Sequence, residues 1–301
     1  MINVNSMGKL YCLSGGWLQE SCEGEKLYRK LRSKSADVIH LDAKILSDIY
    51  RESFDFDESL EAKSLSAQRD LSLCHGFVED GFDVVYSNCN DLVEMESWLK
   101  EKFEEFSMLI CQEDVEAIEG DSIMAPIEKG TVYWFTGLSG AGKTTLGTLW
   151  YERLRQRKTN VVLMDGDKIR DRVKCHDYTR PAREKSSYID GRIAKILTDQ
   201  GIDAVYCVIA MFDGVRKWNR ENIPNYKEIF LNVPMEVLFM RDKKGLYSGA
   251  RSGKIKDVVG MDQLAEFPRN PDVVVMNDGS REPAVIIEEI AQKLKIGEKN
   301  G

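Results

Sequence analysis

The run Gly137-Leu-Ser-Gly-Ala-Gly-Lys-Thr144 has the spacing GxxxxGK[ST]. An apolar β-type stretch, Val132-Tyr-Trp-Phe-Thr136, precedes it and a helix-capable stretch, Thr145 to Arg157, follows. No other feature restricts the fold so tightly. Small residues let the backbone wrap round an anion with its amide N–H groups turned inward, and the following helix N-terminus adds partial positive charge. The candidate triphosphate-binding residues are therefore Gly137, Leu138, Ser139, Gly140, Ala141, Gly142, Lys143, Thr144 and Thr145. Lys143 is placed to reach the β- and γ-phosphates, and the Thr144 hydroxyl to ligate Mg²⁺. A strand–loop–helix unit of this kind implies a P-loop nucleotide-binding fold, a parallel sheet flanked by helices.

The rest of the chain agrees with an α/β class. Short apolar runs at residues 8–13, 37–42, 81–86 and 106–111 alternate with helix-patterned stretches at 25–33, 66–79 and 93–103, as parallel β/α units do. The order then recurs. Tyr11-Cys-Leu-Ser-Gly15 parallels Tyr133-Trp-Phe-Thr-Gly137, Asp37-Val-Ile-His-Leu-Asp42 parallels Asn160-Val-Val-Leu-Met-Asp165, and Gly81-Phe-Asp-Val-Val-Tyr86 parallels Gly201-Ile-Asp-Ala-Val-Tyr206, at offsets of 122, 123 and 120 residues. Self-similarity at a nearly fixed offset marks a repeated unit. Residues 1–121 read as a degenerate, C-terminally truncated copy of the same α/β fold, residues 122–130 as a linker broken by Pro126, and residues 131–301 as the P-loop domain. In the copy the loop is Gly16-Trp-Leu-Gln-Glu-Ser-Cys-Glu-Gly-Glu-Lys26. Glu20, Glu23 and Glu25 repel a triphosphate there, so the copy is expected to serve as scaffold, dimer contact or regulatory surface.

Charge divides along the same line. Residues 1–125 hold 12 Lys and Arg against 26 Asp and Glu, while the remainder holds 30 against 24. The second part suits an anionic small molecule. The acidic first part argues against a nucleic-acid partner. No apolar run is long enough to span a bilayer and the first residues lack the form of a secretion signal, so a cytoplasmic protein without a membrane partner is expected. The seven cysteines include no pair at CxxC spacing and the three histidines are scattered, which speaks against a zinc site or disulfide framework and for free buried thiols.

Phosphoryl transfer needs positioning and charge stabilisation. Asp165 and Asp167 follow the second strand of the P-loop domain, where such sheets bind ligands. We expect Asp165 to accept the proton of an attacking hydroxyl and either carboxylate to help hold Mg²⁺; the alternative for the pair is a helix N-cap, a role that can coexist with the first. Residues 165–170 themselves read as a loop. Arg170, Arg183, Arg216 and Arg220 are candidates to clamp an anionic acceptor through bidentate contacts. The stretch Arg241-Asp-Lys-Lys-Gly-Leu-Tyr-Ser-Gly-Ala-Arg-Ser-Gly253 reads as a basic lid.

Taken together, Thr136 to Thr145, Asp165-Gly-Asp167 with Arg170, Arg241-Asp-x-Lys-Gly-Leu-Tyr247, Ala250-Arg-x-Gly-x-Ile-Lys256 and Gly260-x-Asp262 make residues 131–278 resemble the adenylyl-sulfate kinases. That family phosphorylates the ribose 3′-hydroxyl of adenylyl sulfate with MgATP in sulfate assimilation. The resemblance implies ATP and Mg²⁺ as cofactors, with Lys143, Asp165 and Asp167 catalytic and Thr144 and Asp165 at the metal. It also implies Arg241 and Lys244 on the ATP side, and Asp167, Arg170, Arg183, Ile209, Lys244, Gly245 and Leu246 on the acceptor. Arg216 and Arg220 join this acceptor set from their basic stretch.

Acceptor-side positions depart from the family pattern. Its Asp-Arg-x-x-Asn stands here as Ala182-Arg183-Glu-Lys-Ser186, its Ile-Ser-Pro as Ile209-Ala210-Met211, and its paired aromatics fall at Tyr178 and Val258. The block Met211 to Ile223 resembles the branch that includes cytidine diphosphoramidate kinases, associated with surface-polysaccharide decoration. Three readings stay open: a kinase of adenylyl sulfate, a kinase of a cytidine diphosphate-linked acceptor, and a non-catalytic ATP-binding regulator or scaffold. A homodimer is a further open expectation. A GTPase is not expected, because no NKxD-type motif follows the later strands.

Overall fold

A computed structural model describes residues 7–14, 22–51, 60–89, 99–103, 106–109, 116–118, 120, 126–172, 177–242 and 245–296. The chain divides into two compact units, residues 1–128 with 171–174, and residues 129–170 with 175–301. Ile127, expected in the linker, packs against the first unit's cluster of Leu13, Leu27, Tyr28 and Val38.

In the first unit, β1 (Leu10–Ser14), β2 (Val38–Asp42), β3 (Asp83–Cys89) and β4 (Phe106–Leu109) form a parallel sheet ordered β2-β3-β1-β4. Helices α1 (Cys22–Arg32), α2 (Ala43–Arg51) and α3 (Leu60–Glu79) accompany it. The sequence did not signal α2. Of the helix expected at 93–103, only residues 99–103 are described.

The second unit holds β5 (Val132–Thr136), β6 (Val161–Asp165), β7 (Asp203–Val208), β8 (Tyr226–Asn232) and β9 (Val273–Met276), ordered β6-β7-β5-β8-β9 and parallel throughout. Its helices are α4 (Lys143–Arg155), α5 (Gly166–Arg172, of which residues 166–170 belong to this unit), α6 (Arg180–Asp199), α7 (Asp213–Asn222), α8 (Met235–Arg241), α9 (Leu246–Arg251) and α10 (Pro283–Lys293). Every residue of β5 is buried, as a strand covered on both faces requires. Trp134 stacks on Tyr206 at 5.1 Å and Tyr133 meets Trp150 of α4 edge-on at 5.4 Å. Gly147 lets α4 lie close to the sheet, since a Cβ there would come 2.2 Å from the Cys207 sulfur. Cys12, Cys74 and Cys207 are buried and outside any disulfide. No helix among the described residues is long and apolar enough to cross a membrane.

One local expectation is corrected. Residues 166–172 are helix rather than loop, because an Asp165 carboxylate oxygen accepts the Asp167 N–H at 3.0 Å and caps the turn. The basic stretch 215–220 lies within amphipathic α7. The lid contains α9, started by Gly245 at φ 63°.

The first four strands of the two sheets share one order. They also share a register: Tyr11 pairs with Val85 as Tyr133 does with Val205, and Asp42 with Ser87 as Asp165 does with Cys207. The Lys9 N–H donates to the Asp83 carboxylate at 2.8 Å, and the Thr131 N–H to that of Asp203 at 2.9 Å. A Cβ on Gly24 of α1 would meet the Ser87 side chain at 2.6 Å, at the place where Gly147 faces Cys207.

Candidate active site

The phosphate loop connects β5 to α4, and its shape is set from outside. Gly140 and Gly142 take positive φ, 77° and 92°, which glycine adopts without steric cost. Three side chains pull the loop carbonyls outward. Tyr247 Oη donates to Ser139 O at 2.8 Å, Arg241 to Gly140 O at 3.1 Å and Asn277 to Ala141 O at 2.8 Å. A trans peptide directs the next residue's N–H the opposite way, so the amides of Gly140 and Gly142 turn to the inner side of the loop. Arg241, expected at ATP, therefore shapes the loop through Gly140 O and Asn277 O. Asn277 was not signalled by the sequence. Its only trace there is a polar residue directly after an apolar strand.

Lys143 is half-buried and its ammonium donates to Gly137 O at 3.0 Å and Leu138 O at 2.9 Å. Desolvation pushes its pKa down to about 8, against the pull of Cys207, Asp167 and Asp165. Leu138 is buried, Ser139 half-buried, and Thr144 and Thr145 exposed at the start of α4. Thr144 Oγ1 donates to Asp165 Oδ2 at 2.7 Å. This contact brings the end of β6 onto the loop after β5, and its two oxygens converge as hard-cation ligands do. Among the described residues no group of three His, Cys, Asp or Glu could hold a metal. Mg²⁺ suits the pair nonetheless, because it is ordinarily held by one or two carboxylates together with substrate phosphates.

Beside the loop lies a cavity lined by Arg170, Arg183, Ser186, Ser187, Asp190, Val208, Ile209, Ala210, Phe212 and Val259. Arg183 donates to Tyr178 O at 2.9 Å and Asp257 O at 3.1 Å. Its guanidinium and that of Arg170 lie 5.0 and 5.4 Å from the Tyr178 ring centre. Burial, and then the neighbouring charge of Arg170, lowers the pKa of Arg183. Ile209 O accepts the Thr136 hydroxyl at 2.5 Å, and Ala210 follows with φ 36°.

Of the other expected acceptor residues, Arg216, Arg220, Gly245 and Leu246 do not line this cavity. Arg216 is buried, donating to Glu266 O at 2.6 Å and pairing with Asp213 and, at 3.6 Å, with Glu228. Arg220 pairs with Glu228 at 2.9 Å and Asp272 at 3.2 Å. Both are used in holding Glu228, whose carboxyl burial pushes up and these two arginines pull down. Basic composition in a stretch of sequence does not reveal which buried acid a guanidinium will serve. Gly245 caps α9 and Leu246 packs on the hydrophobic core rather than lining the cavity. Lys244 lies outside the described residues, and Val258 is buried.

A parallel sheet carrying a phosphate loop, a lysine and a carboxylate-linked threonine at its strand ends defines the class of P-loop kinases. Residues 129–276 match the family model for adenylylsulphate kinase. A cytidine diphosphoramidate kinase from Campylobacter jejuni is 35% identical over 165 residues, covering 55% of this chain and 96% of the relative. An adenylyl-sulfate kinase from a Picosynechococcus species is 36% identical over 167 residues, covering 55% and 94%. Among solved structures, the Mycobacterium tuberculosis APS kinase in complex with AMPPNP and APS superposes with TM-score 0.52 at 27% identity, covering 56% of this chain and 98% of that one. The chain belongs to the adenylyl-sulfate kinase family and is an ATP-dependent phosphotransferase.

Proposed function

We propose that this protein transfers the γ-phosphoryl group of ATP to a ribose hydroxyl of a nucleotide-linked acceptor. The observation that carries the reading is the 2.7 Å contact between Thr144 and Asp165, with the arginine-lined cavity on the same unit. Asp165 takes the acceptor's hydroxyl proton as the oxygen bonds to the γ-phosphorus and the bond to the β,γ-bridging oxygen breaks, releasing ADP. Lys143 and the amides of Gly140 and Gly142 hold the phosphates, and Arg170 and Arg183 hold the acceptor's anionic group. Thr144 and Asp165 would hold Mg²⁺, which when bound neutralises charge on the phosphates. Asp167, at the first turn of α5, supports the charge of Lys143.

Identity does not choose the acceptor, since the adenylyl-sulfate and cytidine diphosphoramidate kinases match almost equally. Ala182, Ser186 and Ala210 favour a cytidine diphosphate-linked acceptor, because they change the acceptor side while leaving the ATP side intact. Coupled ADP release with adenylyl sulfate and with cytidine diphosphate-linked compounds tests this, with Lys143→Ala as the inactive control. ATP binding without acceptor-dependent turnover would replace it with the regulatory reading.

We infer further that the first unit is a degenerate, truncated copy of the second. The shared strand order and register support this. With Gly24 matched to Gly147, the position of Lys143 falls on Glu20 and that of Thr144 on Ser21. A carboxylate in place of the ammonium leaves no phosphate site, so equilibrium binding should give one ATP per chain. Two would refute the reading.

A further inference from the structure

The acceptor cavity contains a group that an oxyanion-binding pocket would not ordinarily hold. Asp190 lies on α6 two turns beyond Arg183, lines the cavity and is 5% exposed. No hydrogen bond or ion pair from the described residues reaches its carboxylate. Burial pushes its pKa up to about 7, with Arg170 pulling the other way. The Arg170 Nε is itself buried without a hydrogen-bond partner. The cavity thus presents an unused donor and an unused acceptor together.

Leaving a buried polar group unpaired costs more than its hydrogen bond returns, so the ligand should supply what is missing on both counts. Sulfate offers acceptors alone. It can bond Arg170 and Arg183, but it sets oxygen lone pairs against Asp190 wherever that acid is ionised and is accommodated only where Asp190 takes up a proton. A phosphoramidate offers P–O acceptors for the arginines and a P–NH2 group whose hydrogens the Asp190 carboxylate can accept.

We propose that Asp190 is a specificity-determining residue that selects an acceptor whose terminal phosphoryl group carries an N–H donor over one that ends in sulfate. The inference rests on the reading that this cavity takes the anionic end of the acceptor. It identifies the acceptor's terminal chemistry as an amidate.

The test measures kcat/KM for cytidine diphosphoramidate and for adenylyl sulfate with the full chain. Wild type, Asp190→Asn and Asp190→Ala are compared, with AMPPNP affinity measured alongside. Wild type should prefer the amidate. Either substitution should shift the amidate-to-sulfate ratio towards sulfate by roughly 10–100-fold, since a site that bonds a polar group discriminates strongly against analogues lacking it. AMPPNP affinity should not change. Asp190→Ala and Asp190→Asn differ in polarity, so a folding defect in one leaves the other to decide. A ratio unchanged within threefold while turnover persists would overturn the assignment of Asp190 and leave the kinase reading standing. Wild-type preference for sulfate would overturn it as well. Absence of turnover with both acceptors would refute the kinase reading, and this inference with it.

Discussion

Asp165 holds two positions at once, and substitution can separate them. One carboxylate oxygen caps α5 through the Asp167 N–H at 3.0 Å, and the other meets Thr144 Oγ1 at 2.7 Å. Asp165→Asn retains a carbonyl oxygen for the cap, and Asn and Asp are near-equal caps, so stability should stay within about 0.5 kcal/mol. The amide cannot take a proton at neutral pH. Loss of a general base costs roughly 10²–10⁴-fold in kcat, or about 2.7–5.4 kcal/mol in the barrier at 1.36 kcal/mol per decade. Asp165→Ala removes both contacts and should also lose the cap, about 1 kcal/mol, lowering Tm by roughly 2–4 °C for a domain of this size. Steady-state kinetics with thermal melts of both variants checks this. If Asp165→Asn kept kcat within threefold of wild type, the assignment of Asp165 as base would be wrong. If its melting temperature fell as far as that of the alanine variant, the cap argument would fail instead.

Three further outcomes follow from particular contacts. Lys143 has its pKa near 8 because it is desolvated. Triphosphate binds the charged form, so above pH 8 binding must take up a proton, and ATP affinity measured by calorimetry should weaken roughly 10–30-fold from pH 7.5 to 9.5. Lys143→Met should abolish that slope. Gly147→Ala should destabilise by about 1–3 kcal/mol through overpacking against the Cys207 sulfur. Adding Cys207→Ala should recover most of the loss, because the remaining Cys207 Cβ stands 3.9 Å away; a double-mutant cycle in denaturant without coupling would contradict the contact. Arg220→Ala should lower Tm by leaving buried Glu228 less well paired, while the acceptor KM stays at its wild-type value.

Much of the phosphate loop's local geometry was legible in sequence because it is local. The phosphate loop, its flanking strand and helix, and Asp165 at the end of β6 sit within about thirty residues, and glycine spacing and apolar runs encode such geometry directly. The repeated offsets between residues 11–86 and 133–206 fall in two sheets whose first four strands share one order. Other features depended on long-range partners. Whether Arg216 and Arg220 reach a ligand or a buried acid is decided by Glu228 of β8 and by Asp272, Glu266 and Asn270 before β9.

What the sequence by itself determined is a parallel α/β chain with one intact phosphate loop, since loop chemistry and strand periodicity are read within a few residues. Only the tertiary structure decided how that loop is held and which side chains line its neighbouring cavity. Arg241, Tyr247 and Asn277 converge on three consecutive loop carbonyls from positions 101, 108 and 136 residues distant. Asp190 has the same residue type as many surface acids, and in sequence nothing distinguishes it. Its unpaired burial beside Arg170 exists only once α5, α6 and β7 have packed, because burial and the lack of a partner are properties of three-dimensional surroundings.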